Sequence, residues 1–123
     1  MAPKKILFVD DEPVVVTLMK KRIESRGFLV ETASDGASGL EKAKTWKPDA
    51  VLLDIAMPGM DGYETCRRLK AMKETASIPV ILFTAIQETQ LEAMAQKAGA
   101  AKVVHKPFVD QVFQALAEIL GPG

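Results

Sequence analysis

The sequence predicts an α/β protein: a single-domain, doubly wound (βα)5 chain around a five-stranded parallel sheet. Three observations carry this. Short apolar runs alternate five times with longer segments of helical periodicity. The runs Ile6–Val9, Ala50–Leu53 and Val80–Phe83 are apolar at every position, as suits strands covered on both faces. The links between runs are short, which fits right-handed βαβ crossovers. At 123 residues the chain fits one domain, residues 1–123, and 48% hydrophobic content supports a packed core.

Each element has its own signal. Lys5–Val9 reads as the first strand, and Asp10, Asp11, Glu12 and Pro13 follow. Proline suits a first helical turn, where its missing N–H costs nothing. Val15, Leu18, Met19, Arg22 and Ile23 recur at helical spacing, and Gly27 should end that helix. Phe28–Thr32 reads as a more amphipathic edge strand. Ser34-Asp35-Gly36 is a turn able to cap a helix over Ala37–Trp46, closed by Lys47-Pro48. Ala50–Asp54 is the third strand. Asp61 with Glu64 resembles a capping box and should open a helix through Lys73. Ile78–Thr84 is the fourth strand. Glu88–Ala98 carries only a thin apolar stripe of Leu91, Met94 and Ala95, and Gly99 ends it. Ala101–His105 is a short fifth strand. Val109, Val112, Phe113, Leu116, Ile119 and Leu120 give the cleanest amphipathic pattern, stopped by Gly121-Pro122-Gly123.

Composition excludes several function classes. Sixteen basic and sixteen acidic residues leave no net charge, against a nucleic-acid footprint or a polybasic membrane patch. No apolar run approaches the ~18 residues of a membrane helix, and MAPKK has no apolar signal segment behind it. Cys66 is the only cysteine, which suits a reducing compartment, and the expected location is cytoplasmic. Neither G-x-G-x-x-G nor a Walker sequence follows the first strand, so nucleotide binding by those routes is not expected.

Four strands end in reactive groups: Asp10-Asp11, Asp54, Thr84 and Lys106. In a parallel sheet these lie on one edge, where open α/β proteins bind ligands. Carboxylates brought together repel, by roughly 4 kcal/mol per pair at ~4 Å and an effective dielectric of 20. Either one takes up a proton or a cation neutralises the group. Two or three carboxylates suit Mg²⁺, with Mn²⁺ as a substitute; softer ligands near the site are limited to His105, which disfavours zinc. Metal, Lys106 and the Thr84 hydroxyl together suit an anion such as a phosphoryl group, with Asp54 as an acceptor that would become an aspartyl phosphate.

From ILFVDDEP through LLDIAMPGMDG and VILFTA to HKPF, the chain resembles the receiver domain of two-component response regulators in its stand-alone chemotaxis-regulator form. The resemblance implies a flavodoxin-like strand order 2-1-3-4-5. It implies that Asp54 is the phosphoacceptor and that Asp10, Asp11, Asp54 and the Ala56 carbonyl hold Mg²⁺, Asp11 directly and Asp10 through water. Thr84 would be the switch hydroxyl, Ala85 the small neighbour contacting the phosphoryl group, and Lys106 its ammonium partner, with a cis Lys106–Pro107 bond. The implied partners are a histidine kinase or phosphotransfer protein and a downstream protein target, with the protein itself a monomer or weak dimer. The domain would catalyse only its own phosphorylation and dephosphorylation. The signalling face would comprise Gln87–Ala98, Lys102–His105 and Val112–Leu120. Val103 stands where the family commonly has Tyr or Phe, so switching is expected through shifts near Thr84–Glu88 and not through an aromatic rotor.

Blander readings stand beside these. Asp10 and Asp11 could cap the first helix, Thr84 could be an ordinary β-former and Lys106 a surface residue. His105, one residue from Lys106, should point to the other side of the strand. Cys66, Trp46, Tyr63 and Met57 read as packing or bystander residues, and Asp61 and Gly62 as cap and turn. The Met1 start and Gly-Pro-Gly end suit a complete chain that signals by protein binding; a receiver cut from a larger regulator or hybrid kinase is the alternative. A metal-dependent phosphatase with Asp54 as nucleophile would need a second acid two residues on, where Ala56 stands. A third alternative is a binding module on the same fold that is never phosphorylated.

Overall fold

The computed structural model of the chain describes residues 2–121. Its elements are β1 (Lys5–Val9), α1 (Pro13–Glu24), β2 (Leu29–Ala33), α2 (Gly36–Trp46), β3 (Ala50–Leu53), α3 (Gly62–Ala71), β4 (Val80–Thr84), α4 (Leu91–Ala98), β5 (Lys102–His105) and α5 (Val109–Leu120). The strands form one parallel sheet in the order β2-β1-β3-β4-β5, as expected.

Strand periodicity divides the core. In β1, Ile6 and Phe8 face one side, with Met19 and Ile23 of α1 and Val112 and Leu116 of α5. Leu7 and Val9 face the other, with Ala43 of α2, Cys66 and Leu69 of α3, and Leu91 and Ala95 of α4. Of these eight β1, α1 and α5 positions, seven are buried to 0–1% exposure and Met19 to 4%. A sheet sealed on both faces leaves its C-terminal edge as the place where polar groups can gather.

Element ends differ from expectation by one to three residues, for local reasons. β4 begins at Val80 because Pro79 has no N–H to give the ladder, and Ile78 closes a turn onto the Thr75 carbonyl at 3.0 Å. α3 stops at Ala71, since Met72 is extended (φ −90°, ψ 133°). α4 begins at Leu91, three residues late, without a side-chain cap. The Asp61–Glu64 capping box forms only in half. Asp61 accepts the Glu64 N–H at 2.9 Å, but the Glu64 carboxylate turns to Arg67 and Arg68, each at 2.8 Å. Asp35 does cap α2, accepting the Ser38 N–H at 2.8 Å. Gly121 follows α5; Pro122 and Gly123, assigned to the same stop, lie outside the described residues.

Candidate functional site: an acidic pocket with one lysine

Each reactive residue is the last or first past a strand, and neighbouring strands hold its backbone. The Asp10 N–H donates to the Ala33 carbonyl at 3.1 Å, and the Asp54 N–H to the Val9 carbonyl at 2.9 Å. The Lys106 N–H donates to the Thr84 carbonyl at 2.8 Å. The loop after Asp54 folds back at once: the Gly62 N–H donates to the Ile55 carbonyl at 2.8 Å. A Cβ at Gly62 would lie 2.3 Å from the Asp54 carbonyl oxygen and 2.6 Å from Ile55 Cα. Glycine is thus required by close approach between two backbones, beyond the turn role read from the sequence.

The side chains converge. Asp10 is 0% exposed and Asp54 4%, so two carboxylates are buried side by side. Lys106 Nζ sits 2.8 Å from Asp10 Oδ2, 3.7 Å from Asp54 Oδ1 and 4.0 Å from Glu12 Oε1. Asp10 Oδ1 accepts the Glu12 N–H at 2.9 Å. Oxygens of Asp10, Glu12 and Asp54 all lie within 4.8 Å of one another. Burial pushes the Asp54 carboxyl up to about 6; the Lys106 ammonium opposes this, the Asp10 charge adds to it, and the N–H groups of Ile55 and Ala56 pull it down. Three carboxylates against one ammonium leave an excess of negative charge on hard oxygen donors, a donor set that fits a divalent Mg²⁺.

Glu12 is the member that the sequence reading left out. The signal was its place in the Asp-Asp-Glu-Pro run, at the N-cap of the helix that Pro13 opens. Asp11 is half-buried and outside this trio of carboxylates; it lines the neighbouring cleft with Asp10, Thr17 and Ser38. Ala56 and Ala85 lie exposed beside the pocket, following Asp54 and Thr84. Thr84 is fully buried, and its Oγ1 accepts the Ile86 N–H at 3.1 Å. The Lys106–Pro107 bond is cis. Val103 is half-buried and packs with Ile86 and Met94 against the α3/α4 cluster. Cys66 is fully buried, its thiol 3.3 Å from the Ala98 carbonyl and pushed up to about 11 by burial, which keeps it a protonated packing residue.

A doubly wound sheet with an acidic pocket and one lysine at its C-terminal edge defines an open α/β protein with its ligand site at the strand ends. Residues 6–118 match the response regulator receiver domain family, and the chain belongs to it. It is 42% identical over 105 residues to the alkaline phosphatase synthesis transcriptional regulatory protein PhoP of Bacillus subtilis, covering 85% of this chain and 43% of that one. The chain therefore spans less than half the length of that relative. Vibrio cholerae chemotaxis protein CheY4 superposes with a TM-score of 0.90 at 26% identity, over 96% of this chain and 99% of that one. The receiver domain of sensor histidine kinase PA1611 from Pseudomonas aeruginosa, solved with a magnesium ion coordinated in its active site cleft, superposes at 0.89 with 29% identity, over 98% and 100%. The chain is accordingly a two-component receiver domain of flavodoxin-like fold, from a family whose members accept phosphoryl groups. Among the described residues, no helix is long and apolar enough to cross a membrane.

Proposed function

We propose that this receiver takes a phosphoryl group onto Asp54 from a phosphohistidine on a partner histidine kinase or phosphotransfer protein. The observation that carries this is the buried Asp54 carboxylate 3.7 Å from the Lys106 ammonium, beside a second buried carboxylate. Asp54 attacks phosphorus; the P–O bond forms as the P–N bond to the donor imidazole breaks. Lys106 pairs with a phosphoryl oxygen, and the Thr84 hydroxyl donates to another. Asp10, Asp11, Asp54 and the Ala56 carbonyl would hold Mg²⁺, with Glu12 close enough to join them; the ion supplies positive charge that offsets the carboxylates and draws the phosphoryl oxygens. Positioning and charge neutralisation are most of what phosphoryl transfer asks of a protein. Phosphorylation then shifts a two-state equilibrium that a downstream protein reads on the α4-β5-α5 face.

The test is intact mass after incubation with acetyl phosphate, with and without Mg²⁺, beside Asp54→Asn. A Mg²⁺-dependent gain of one phosphoryl group that the variant lacks is expected. No gain in the wild type, where a control receiver is labelled, would sink the reading. The phosphatase alternative gains nothing from the structure: the residue two past Asp54 is Ala56, with no acid to offer.

A further inference from the structure

The acidic pocket occupies the C-terminal edge of the sheet. The opposite edge, where β1 and β2 begin and α1 and α5 end, carries a second cavity of about 460 Å³. That is the size of a small-ligand site. Its walls are the half-buried rings of Phe28, just before β2, and Phe113 on α5, with Ala117 one turn further along that helix. Lys4 and Arg26 are the charged residues among those lining it, and no acid joins them. Gly27 and Gly121 sit at the rim, and a Cβ at either would meet nothing within 4 Å, so the mouth is open.

The Arg26 guanidinium lies over Phe113, 4.0 Å from guanidinium carbon to ring centroid. Stacking fixes the plane of the guanidinium and leaves the N–H groups at its edge free to take a carboxylate or phosphate. Among the described residues no carboxylate pairs with Arg26 or Lys4, whereas nearby Lys20 is paired with Glu24. The two full charges outweigh the partial negative ends of α1 and α5. Carbonyls of those ends are already taken: Glu24 accepts the Gly27 N–H and Ala117 the Gly121 N–H, each at 2.9 Å.

We propose that this cavity binds a small aromatic anion, a planar ring carrying a carboxylate or a phosphate. The ring lies against Phe28 and Phe113, and the anionic group takes N–H bonds from Arg26 with Lys4 beside it. Rings alone would accept any apolar body, and two cations any anion. Set across one cavity with no acid between them, they ask for both in one molecule. The site is at the far end of the sheet from Asp54 and does not depend on whether Asp54 is phosphorylated.

The test is an NMR titration of the ¹⁵N-labelled full chain without Mg²⁺. The probes are phenylacetate and phenyl phosphate, beside acetate and inorganic phosphate as anion alone and benzyl alcohol as ring alone. Saturable shifts centred on the amides of Gly27, Phe28, Ala117 and Gly121 are expected for the joined probes, at an affinity about tenfold or more above any fragment. Which joined probe binds more tightly tells a carboxylate ligand from a phosphate one. Arg26→Gln should weaken binding about tenfold or more, the scale of one lost charged hydrogen bond. Arg26→Lys should restore only part of it, since an ammonium keeps the charge and loses the fork. Ala117→Met fills the cavity with both cations in place and should abolish binding. Both positions are exposed, so the variants keep the fold, which their melting temperatures check. No saturable shift at these amides, fragments that bind as tightly as the joined probes, or binding that survives both Arg26→Gln and Ala117→Met overturns the inference and leaves the receiver function intact.

Discussion

Helices α3 and α4 lie side by side on one face of the sheet, yet they are held very differently. α3 is capped by Asp61, braced by Glu64 with Arg67 and Arg68, and tied at its end by the Thr75 hydroxyl donating to the Leu69 carbonyl at 2.6 Å. Its start is fixed against Asp54 and Ile55 through Gly62. α4 is eight residues long, has no side-chain cap at Gln90, and is entered through an exposed loop. A helix this short is marginal without tertiary support. Held this way, the fold would keep the proposed acceptor carboxylate still while letting a neighbouring element shift. The rigid element follows Asp54, the proposed phosphoacceptor; the loosely held one follows Thr84, the proposed switch hydroxyl.

The largest expected effect tests the fixed side. Lys106→Met removes the one ammonium that meets Asp10 and Asp54 among the described residues, and phosphorylation of Asp54 by acetyl phosphate should slow by about 10²–10³-fold, as for loss of one preorganised charge at a transition state. A rate within a factor of about three of wild type would separate Lys106 from the chemistry. Gly62→Ala forces a Cβ into backbone that cannot yield, and should cost about 3 kcal/mol in urea unfolding. An undiminished midpoint would mean that the loop can leave Asp54 without penalty.

A third prediction concerns pH. The folded Asp54 carboxyl stands at about 6 against an ordinary 3.8, so the folded state holds more protons than the unfolded chain between those values. Stability contributed by this group therefore falls as pH rises from about 4 to 6 and stays low above. Asp54→Asn has no such charge to bury. Without Mg²⁺, the variant should match the wild type near pH 4 and exceed it by about 3 kcal/mol at pH 7. A difference independent of pH would contradict the buried-charge picture. The smallest effect is at the cap: Asp61→Ala should lower stability by about 1 kcal/mol and bring α3 closer to α4 in amide protection.

Much of this was legible in the sequence because the signals were dense. Strands buried on both faces leave unbroken apolar runs, and a run ending in Asp54 or Thr84 places that residue on the ligand edge of a parallel sheet. The pocket's composition was less legible. Glu12 reads as one more acid in a helix-opening turn, and only the fold brings its carboxylate to the Asp10–Asp54 pair. Glu64 fits the capping-box spacing, but two arginines one helical turn on outcompete the backbone N–H for its carboxylate.

The contrast between the two helices is tested most directly by amide hydrogen exchange, followed residue by residue, before and after Asp54 is loaded. Loading is expected to change exchange through residues 85–98 while leaving Gly62–Ala71 as it was. Equal change in both helices of a loaded protein, or none in either, would contradict the division into a fixed and a movable side.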